Sequence, residues 1–311
     1  MTEPVPITPH RLDPGVVRWV EERIGAGATM TSVRQLKGAT SSTLYAIQVA
    51  QGRASQTFVL RLFTNQEWLA EEPDLAEHEA TNLHKVAAAG VPVPELIAYD
   101  PSGDDCGVPA ILMTRLPGTV VLCPDDLDAW LRQMAKVLIP IHSLDPVGHP
   151  WIYAPYNDLS SLTVPSWSRS PELWARAIEI VNGPWPQTTA CLIHRDYHPN
   201  NVLWQDGRLS GVVDWPNGCR GPAGIDVAWC RGNLKSTHGV AVADRFLELY
   251  CAAAGSSFSY DPFWDLMVIV EGLPGPPDVY PPWIEFGLTG LTDDLMLERS
   301  EAYLVSVMDR F

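Results

Sequence analysis

The sequence has few basic residues, no long apolar run and no signal-peptide pattern, and each absence excludes a class of protein. The 21 lysines and arginines against 37 aspartates and glutamates give a formal net charge of −16. Nucleic acid and anionic membranes need basic surfaces, so neither is an expected partner. No stretch approaches the roughly 20 apolar residues that span a bilayer, and the segment MTEPVPITPHRLDP lacks basic and apolar leader regions. We therefore expect a cytoplasmic protein.

Cysteine is present but unpatterned. The six cysteines include no C-x-x-C pair, so the sequence indicates neither a zinc site nor a disulfide framework. The acidic surplus would attract a cationic ligand, although a charged surface also serves solubility alone. With 311 residues, 46% of them hydrophobic, the chain can form one large domain or two lobes.

The first third of the chain alternates helix and strand signals. Asp13 and Pro14 are typical of a helix start. Strands are predicted at 30–37, 43–49, 56–63, 95–99 and 109–113, and a helix at 73–89. The segment Leu116-Pro117-Gly118 ends this pattern. We predict an α+β fold with an N-terminal lobe at 1–116 that holds an antiparallel sheet and one main helix.

The remaining residues, 117–311, are predicted to form a mostly helical second lobe. The clearest helix covers 125–142, where apolar residues recur with helical spacing. Further helices are predicted at 171–182, 240–254, 261–271 and 292–308. Residues 143–171 show no periodicity and are too long for an ordinary loop. They either shape a substrate cleft or form a structured excursion.

The most informative stretch is CLIHRDYHPNNVLW at 191–204, followed by LSGVVDW at 209–215. A short strand leads to Asp196, Asn201 follows five residues later, and a β-turn-β returns the chain to Asp214. Phosphoryl transfer needs these groups, because Mg²⁺ takes hard oxygen ligands and a separate carboxylate orients the attacking hydroxyl. The pattern therefore predicts a phosphoryl-transfer centre.

This stretch resembles the aminoglycoside phosphotransferase family, whose loop commonly reads H-G-D-x-H-P-x-N before a V-x-D-[WF] strand. The resemblance implies a bilobal, protein-kinase-like fold, ATP with Mg²⁺ as cofactors, and a small-molecule hydroxyl as acceptor. It implies that Asp196 is the catalytic base, that Asn201 and Asp214 are the metal ligands, and that His194 supports the loop. Arg195 stands where many relatives carry glycine.

Arg61 lies in the strand FVLRLF at 58–63, which resembles the kinase strand that carries the ATP-phosphate lysine. A guanidinium can bind phosphate and carboxylate in bidentate fashion. Its predicted partner is Glu79, which lies among apolar helix residues where an unpaired carboxylate would be costly. In the alternative, Arg61 faces solvent and Glu79 flanks the apolar stripe.

Two further segments are expected to contact the nucleotide. Gly38, Ser41 and Ser42 belong to a loop of small residues whose backbone N–H groups could approach phosphates. A hairpin turn of this composition needs no ligand, so that alternative stays open. By family analogy, the segment that contains Met113 and Arg115 holds the adenine through backbone groups.

Asp226 follows in the segment GPAGIDVAW at 221–229. By resemblance it stabilises the catalytic loop. A role as the N-cap of the following helix fits the sequence equally well.

The acceptor is the least defined part of the prediction. Carboxylates in the last helices could bind a polyamine such as an aminoglycoside, which would make the protein an antibiotic-resistance enzyme, but most such groups are solvated helix faces. Those carboxylates are Asp261, Asp265, Glu271, Asp278, Glu285, Asp293 and Asp294. Metabolite kinases of the choline-kinase and fructosamine-kinase type share the same centre. GTP in place of ATP stays open, as do a monomer and a homodimer.

Two other function classes are alternatives to a kinase. The triplet His194-x-Asp196-x-His198 could bind the metal of a hydrolase, but such sites need further histidines at motif spacing. The chain could also be a kinase-fold nucleotide-binding module without catalysis. The retained Asp196, Asn201 and Asp214 favour an active enzyme.

Overall fold

The computed structural model describes residues 12–38, 42–256 and 258–311. Two compact units are distinguished by their internal contacts. The first comprises Met1–Gly118 and Ser210–Asn217, and the second comprises Thr119–Leu209 and Gly218–Phe311. The segment that contains Asp214 therefore belongs with the first unit. A nucleotide-binding lobe at 1–116 and a helical lobe at 117–311 that carries the catalytic loop and the acceptor site stay a prediction.

The first unit contains a five-stranded antiparallel sheet in the order β1-β2-β3-β5-β4. Its strands are β1 (Ala28–Gln35), β2 (Thr43–Gln51), β3 (Ala54–Leu62), β4 (Leu96–Asp100) and β5 (Ala110–Thr114). Strands β2 and β3 form a hairpin whose register runs from Gln51 opposite Ala54 to Thr43 opposite Leu62. Because β3 is the central strand, Arg61 lies in the middle of the sheet.

Among the residues described for this unit, three helices accompany the sheet: α1 (Pro14–Ile24), α2 (Gln66–Glu71) and α3 (Leu75–Val86). Helix α1 begins as predicted, because the Asp13 carboxylate accepts a hydrogen bond from Gly15 N at 2.7 Å and Pro14 takes the first helical position. Its buried face, which includes Val16 and Val20, joins the apolar core of the sheet.

Helix α3 is shorter than the predicted 73–89. It is followed by a 3₁₀ turn at Ala87–Ala89, and Gly90 ends the segment in the left-handed region with φ 69°. The face that carries Leu75, Leu83 and Val86 is buried. Glu79 lies on this side of the helix and is only 1% exposed, so the helix holds a carboxylate inside the unit.

The second unit is mainly helical. Its helices are α4 (Leu127–His142), α5 (Pro171–Val181), α6 (Ala223–His238), α7 (Val240–Ala254), α8 (Phe263–Glu271), α9 (Pro281–Glu285) and α10 (Asp293–Met308). Short strands accompany them: β6 (Thr119–Val120), β7 (Ala190–Ile193), β8 (Val202–Gln205) and β10 (Cys219–Pro222). Strand β9 (Arg208–Val212) contains the boundary between the units.

Strand β7 pairs with β10 in antiparallel register and leads into the loop that carries Asp196. After β8, Asp206 and Gly207 both have positive φ, 50° and 70°, which is typical of a two-residue type I′ turn. The Gln133 side chain of α4 binds this turn, donating to Gly207 O at 3.1 Å and accepting from Leu209 N at 3.0 Å.

The predicted helices of the second unit agree with the structure to within two residues at each end. The short helix α9 lies in a proline-rich stretch for which no helix was predicted. Its Pro281 occupies the first turn, where a missing N–H costs nothing. None of the helices formed by the described residues is both long and apolar enough to cross a lipid bilayer.

Candidate active site

Asp196 lies in the loop after β7, and three neighbours hold its carboxylate. Trp229 Nε1 donates to Oδ1 at 2.6 Å, Asn201 Nδ2 donates to Oδ2 at 3.2 Å, and His198 Nε2 lies 3.4 Å from Oδ1. Asn201 Nδ2 also donates to the Asp196 carbonyl oxygen at 2.9 Å. The Asp196 side chain remains 26% exposed. The carboxylate is therefore oriented and still accessible.

The net effect of these neighbours is to lower the pKa of Asp196. Burial acts in the opposite direction, but the charges of His198 and His194 and the hydrogen bonds from His198 and Trp229 outweigh it. Asp196 is consequently ionised at neutral pH. An ionised carboxylate can accept a hydrogen bond from a hydroxyl and orient its oxygen.

Asp226 stabilises the loop that carries Asp196 by binding its backbone. Its carboxylate accepts hydrogen bonds from His194 N at 2.8 Å and Arg195 N at 2.7 Å, and His142 Nε2 lies 2.9 Å from Oδ2. Asp226 is fully buried. It lies in the first turn of α6, which begins at Ala223, so the loop-stabilising role is the correct alternative and the N-cap role is wrong.

Arg195 adopts φ 68°, in the left-handed region that favours glycine. Two contacts of its guanidinium accompany this conformation. Nη2 donates to Ala154 O at 2.7 Å, and Cζ lies 3.8 Å from the centre of the Tyr156 ring. The arginine thus contacts the segment 143–171 that sequence reasoning could not assign.

A second cluster lies within the first unit. Arg61 Nη1 is 3.4 Å from Glu79 Oε2, and Arg61 Nη2 donates to Asp214 Oδ1 at 2.7 Å. The side chains of Arg61 and Glu79 are 4% and 1% exposed, and that of Asp214 is 37% exposed. The buried Arg61–Glu79 pair is present, as predicted. The contact between Arg61 and Asp214 was not predicted.

The cluster of Arg61, Glu79 and Asp214 contains two carboxyl groups and one cationic group. Burial raises the pKa of Glu79 to about 7, against the opposing effect of Arg61, and the charge of Asp214 adds to the rise. A backbone hydrogen bond from Trp215 contributes in the other direction, and Asn82 Nδ2 binds Trp215 O at 2.7 Å. A cation beside Asp214 would offset the excess negative charge.

The other predicted nucleotide residues are dispersed in the first unit. Gly38 follows β1 with φ 87° and Ser42 precedes β2, whereas Ser41 lies outside the described residues. Met113 is buried in β5, where it pairs with Val59 on one side and Leu96 on the other.

Arg115 is exposed just beyond the end of β5. Partial burial and the charge of Arg34 lower its pKa. The backbone of Met113 thus lies within the sheet and Arg115 lies beyond its end, and the contact of this segment with adenine stays a prediction.

A cavity of about 500 Å³ in the second unit opens onto Asp196. Its walls are strongly aromatic, which sequence reasoning missed because the residues come from distant segments. The aromatic lining consists of Trp167, Trp174, Trp229, Tyr280, Trp283 and Tyr303. Charged groups in the lining are Asp196, Lys235, Glu271 and Asp278. Trp229 could have been found from its spacing, because it lies one helical turn after Asp226.

Of the seven carboxylates in the last helices, Glu271 and Asp278 line this cavity. Others have structural partners. Asp265 is fully buried against Arg231 and accepts hydrogen bonds from Tyr260 and Tyr303, each at 2.7 Å. Asp293 accepts from Val279 N at 3.0 Å. The acidic bias of these helices is thus partly structural.

The alternative metal-hydrolase site finds no support. Among residues 12–38, 42–256 and 258–311, no group of three or more histidine, cysteine, aspartate or glutamate side chains could hold a metal ion. His198 instead contacts Asp196 and the amide of Asn201, and His194 is fully buried.

The chain is similar in sequence to several curated proteins. The chain is 26% identical over 258 residues to acyl-CoA dehydrogenase family member 10 of Mus musculus, covering 67% of this chain and 24% of that protein. It is 27% identical over 210 residues to homoserine kinase of Rhodopseudomonas palustris strain BisB5, covering 58% of this chain and 61% of that protein. The chain thus spans about a quarter and about three fifths of these relatives.

Among solved structures, the chain resembles a thermostable variant of aminoglycoside phosphotransferase APH(4)-Ia in a ternary complex with ADP and hygromycin B. The TM-score is 0.60 at 18% identity, and the match covers 94% of this chain and 98% of that one. This likeness confirms the predicted α+β, kinase-like fold class. Residues 32–263 match the phosphotransferase enzyme family. The chain belongs to this family.

Proposed function

We propose that the protein transfers the γ-phosphoryl group of ATP to a hydroxyl group of a small-molecule acceptor. The observation that carries the proposal is the Asp196 carboxylate, which is held at both oxygens and opens onto a cavity of small-molecule size. The ternary complex of the structural relative with ADP supports an adenine nucleotide. GTP remains the alternative nucleotide.

In the proposed reaction, Asp196 accepts a hydrogen bond from the acceptor hydroxyl and directs its oxygen at the γ-phosphorus. The new oxygen–phosphorus bond forms as the bond to the β–γ bridging oxygen breaks, the hydroxyl proton passes to Asp196, and ADP leaves. A loose transition state requires little early proton removal. The lowered pKa of Asp196 is therefore compatible with this role.

Magnesium is the cofactor we propose, with Asn201 and Asp214 as its protein ligands. The chemistry of these residues fits, because both carry hard oxygen donors. Asn201 donates its described hydrogen bonds through Nδ2, which keeps the amide oxygen as the ligand atom. The surplus carboxylate around Arg61 favours a cation at Asp214. When bound, the ion would neutralise charge on the phosphate oxygens.

Two acceptor classes follow from the family. Hygromycin B in the complex of the structural relative supports an aminoglycoside, and the homoserine kinase relative supports a metabolite. An aminoglycoside acceptor would make antibiotic resistance the physiological role. Both classes supply the hydroxyl that the proposed reaction requires.

The test is ADP release by the purified protein with ATP, Mg²⁺ and single acceptors from a panel of aminoglycosides, hydroxy acids and amino alcohols. At least one acceptor should stimulate release above the rate with water. Asp196→Asn should lower that rate by about 10²- to 10⁴-fold, with ADP affinity unchanged in calorimetry. Near-normal turnover by this variant would refute the assigned base.

Asn200→Ala is the matched control, since it changes an amide in the same loop that has no proposed part in the reaction. Its rate should stay within a few fold of the parent protein. If no acceptor stimulates release while ADP binds, the chain is a nucleotide-binding module and the proposed activity is wrong.

A further inference from the structure

The cavity that opens onto Asp196 contains one lysine, and its position is unusual. Lys235 lies on α6, and its Nζ donates a hydrogen bond to Ser300 Oγ on α10. Both residues line the cavity. Within the described part of the chain, no carboxylate lies within ion-pair distance of Lys235. Lys235 is partly buried, and withdrawing an ammonium group from water without an anionic partner is costly, so the site favours an anion from outside the protein.

The carboxylates of the cavity do not meet this need. Glu271 accepts hydrogen bonds from Tyr153 OH and Tyr156 N, both at 3.2 Å. Burial raises the pKa of its carboxyl group, against the opposing effects of these hydrogen bonds and of the charge of Arg195. Asp278 is exposed, where solvent screens its charge. Asp196 is held by Trp229 and Asn201. The interior positive charge of Lys235 therefore remains uncompensated by these groups.

The geometry of α6 relates this lysine to the reacting end of the cavity. Trp229, which binds Asp196, precedes Lys235 by six residues on the same helix. Six residues correspond to a rise of about 9 Å. An acceptor that spans the cavity can therefore present a hydroxyl near Asp196 and an anionic group near Lys235.

The identity of the anion follows from the charge count. One ammonium and one hydroxyl group can match a single negative charge with hydrogen bonds to spare. A phosphate monoester would bring a charge of about −1.5 to −2 at pH 7, which is more than one lysine compensates. Aromatic walls such as Trp174 and Trp283 suit an apolar spacer between the two ends. A carboxylate is the group that fits best.

We propose that the acceptor is a hydroxy acid, whose carboxylate binds Lys235 and Ser300 while its hydroxyl is held by Asp196. This inference rests on the proposed phosphoryl transfer, whose acceptor class it names. A polycationic acceptor such as an aminoglycoside would place an ammonium group against Lys235. The cavity thus discriminates between the two acceptor classes that the family leaves open.

The experiment uses three benzyl alcohols that differ only in the para group: 4-(hydroxymethyl)benzoate, its carboxamide, and 4-(hydroxymethyl)benzylamine. L-homoserine and its amide provide an aliphatic pair. Binding to the full chain is measured by calorimetry without nucleotide, and ADP release is measured separately. In each set the acid should bind at least about tenfold tighter than the amide, as expected for a charge-assisted hydrogen bond, and the amine should bind more weakly still.

Lys235→Met should reduce the preference for the acid to less than twofold, whereas Lys235→Arg should retain part of it. The matched control is Lys136→Met, which removes the same charge from an exposed site on α4 and should leave the preference unchanged. Thermal unfolding establishes that each variant is folded.

The proposal is overturned if the acids bind no tighter than the amides, or if their preference survives Lys235→Met. Binding and turnover separate the two levels of inference. If the acids bind more tightly in a manner that depends on Lys235 but no acceptor releases ADP, the proposed phosphoryl transfer is wrong and the carboxylate site is supported. If only neutral or amine acceptors release ADP, phosphoryl transfer is supported and the proposed hydroxy-acid acceptor is wrong.

Discussion

The two units hold buried positive charge in opposite ways. In the first unit, Arg61 lies between Glu79 and Asp214, so one cation serves two carboxylates. In the second unit, Lys235 is bound by the neutral hydroxyl of Ser300. A surplus of negative charge favours a cationic ligand, and an unmatched buried cation favours an anionic one. We therefore expect a cationic ligand at the Arg61 cluster of the first unit and an anionic ligand at Lys235 in the second unit.

The largest expected effect concerns the stability of the two units. Arg61→Met leaves two carboxylates without their cation and should lower the free energy of unfolding by about 3–5 kcal/mol. Lys235→Met removes a partly buried charge that has no carboxylate partner among the described residues, and should leave stability unchanged or raise it. Urea unfolding at pH 7 without nucleotide measures both.

The contrast between the two units is contradicted if Arg61→Met and Lys235→Met lower the free energy of unfolding by the same amount. Arg23→Met provides a baseline, because the Arg23–Asp105 pair has side chains that are 51% and 54% exposed. Such surface pairs contribute at most about 1 kcal/mol. A loss of that size for Arg61→Met would mean that the buried cluster is not maintained in solution.

Trp229→Phe tests the reacting end of the cavity. The variant keeps an aromatic wall but removes the 2.6 Å hydrogen bond to Asp196 Oδ1, which helps to lower the pKa of that carboxyl group. Loss of a charge-assisted hydrogen bond of about 1.5–3 kcal/mol corresponds to a decrease of about 10- to 100-fold in kcat.

Because the pKa of Asp196 should rise in Trp229→Phe, the acid limb of the kcat profile should move to higher pH. Trp174→Phe is the control, since Trp174 lines the same cavity and hydrogen-bonds Glu301 instead. A purely structural role for Trp229 would lower the rate and leave the acid limb in place.

The next effect is the pH dependence of acceptor binding at Lys235. Burial, aided by the charge of Arg299, lowers the pKa of Lys235 to about 8. The ammonium form is therefore present below pH 8 and lost above it. The other ionisable groups of the cavity lining are Asp196, His198, Glu271, Asp278, Tyr280 and Tyr303.

Calorimetry with 4-(hydroxymethyl)benzoate should show affinity falling about tenfold between pH 7 and pH 9, as the charged fraction of Lys235 falls. The corresponding amide should bind equally at both values. In Lys235→Met, the pH dependence of the acid should disappear. An unchanged affinity of the parent protein over this range would contradict the assigned cation.

The site residues that could be predicted from sequence are those that neighbouring residues in the chain make recognisable. Asp196 and Asp214 follow short strands, Asn201 directly precedes one, and Glu79 interrupts an apolar helix face, so each was recognisable from its neighbours. The contact of Arg61 with Asp214 joins residues 153 positions apart, and the cavity walls come from separate helices. Such long-range packing leaves no periodic signal, which is why the cation in the cavity was missed.

The smallest effect concerns Arg195, whose φ of 68° is costly for any residue with a Cβ atom. Arg195→Ala keeps that cost and loses the contacts with Ala154 O and the Tyr156 ring. Arg195→Gly loses the same contacts but relieves the backbone strain, at the expense of greater freedom in the unfolded chain. The glycine variant should therefore be more stable than the alanine variant, by up to about 1 kcal/mol, in thermal unfolding. Equal stability would show that the backbone leaves the left-handed region once the guanidinium contacts are gone.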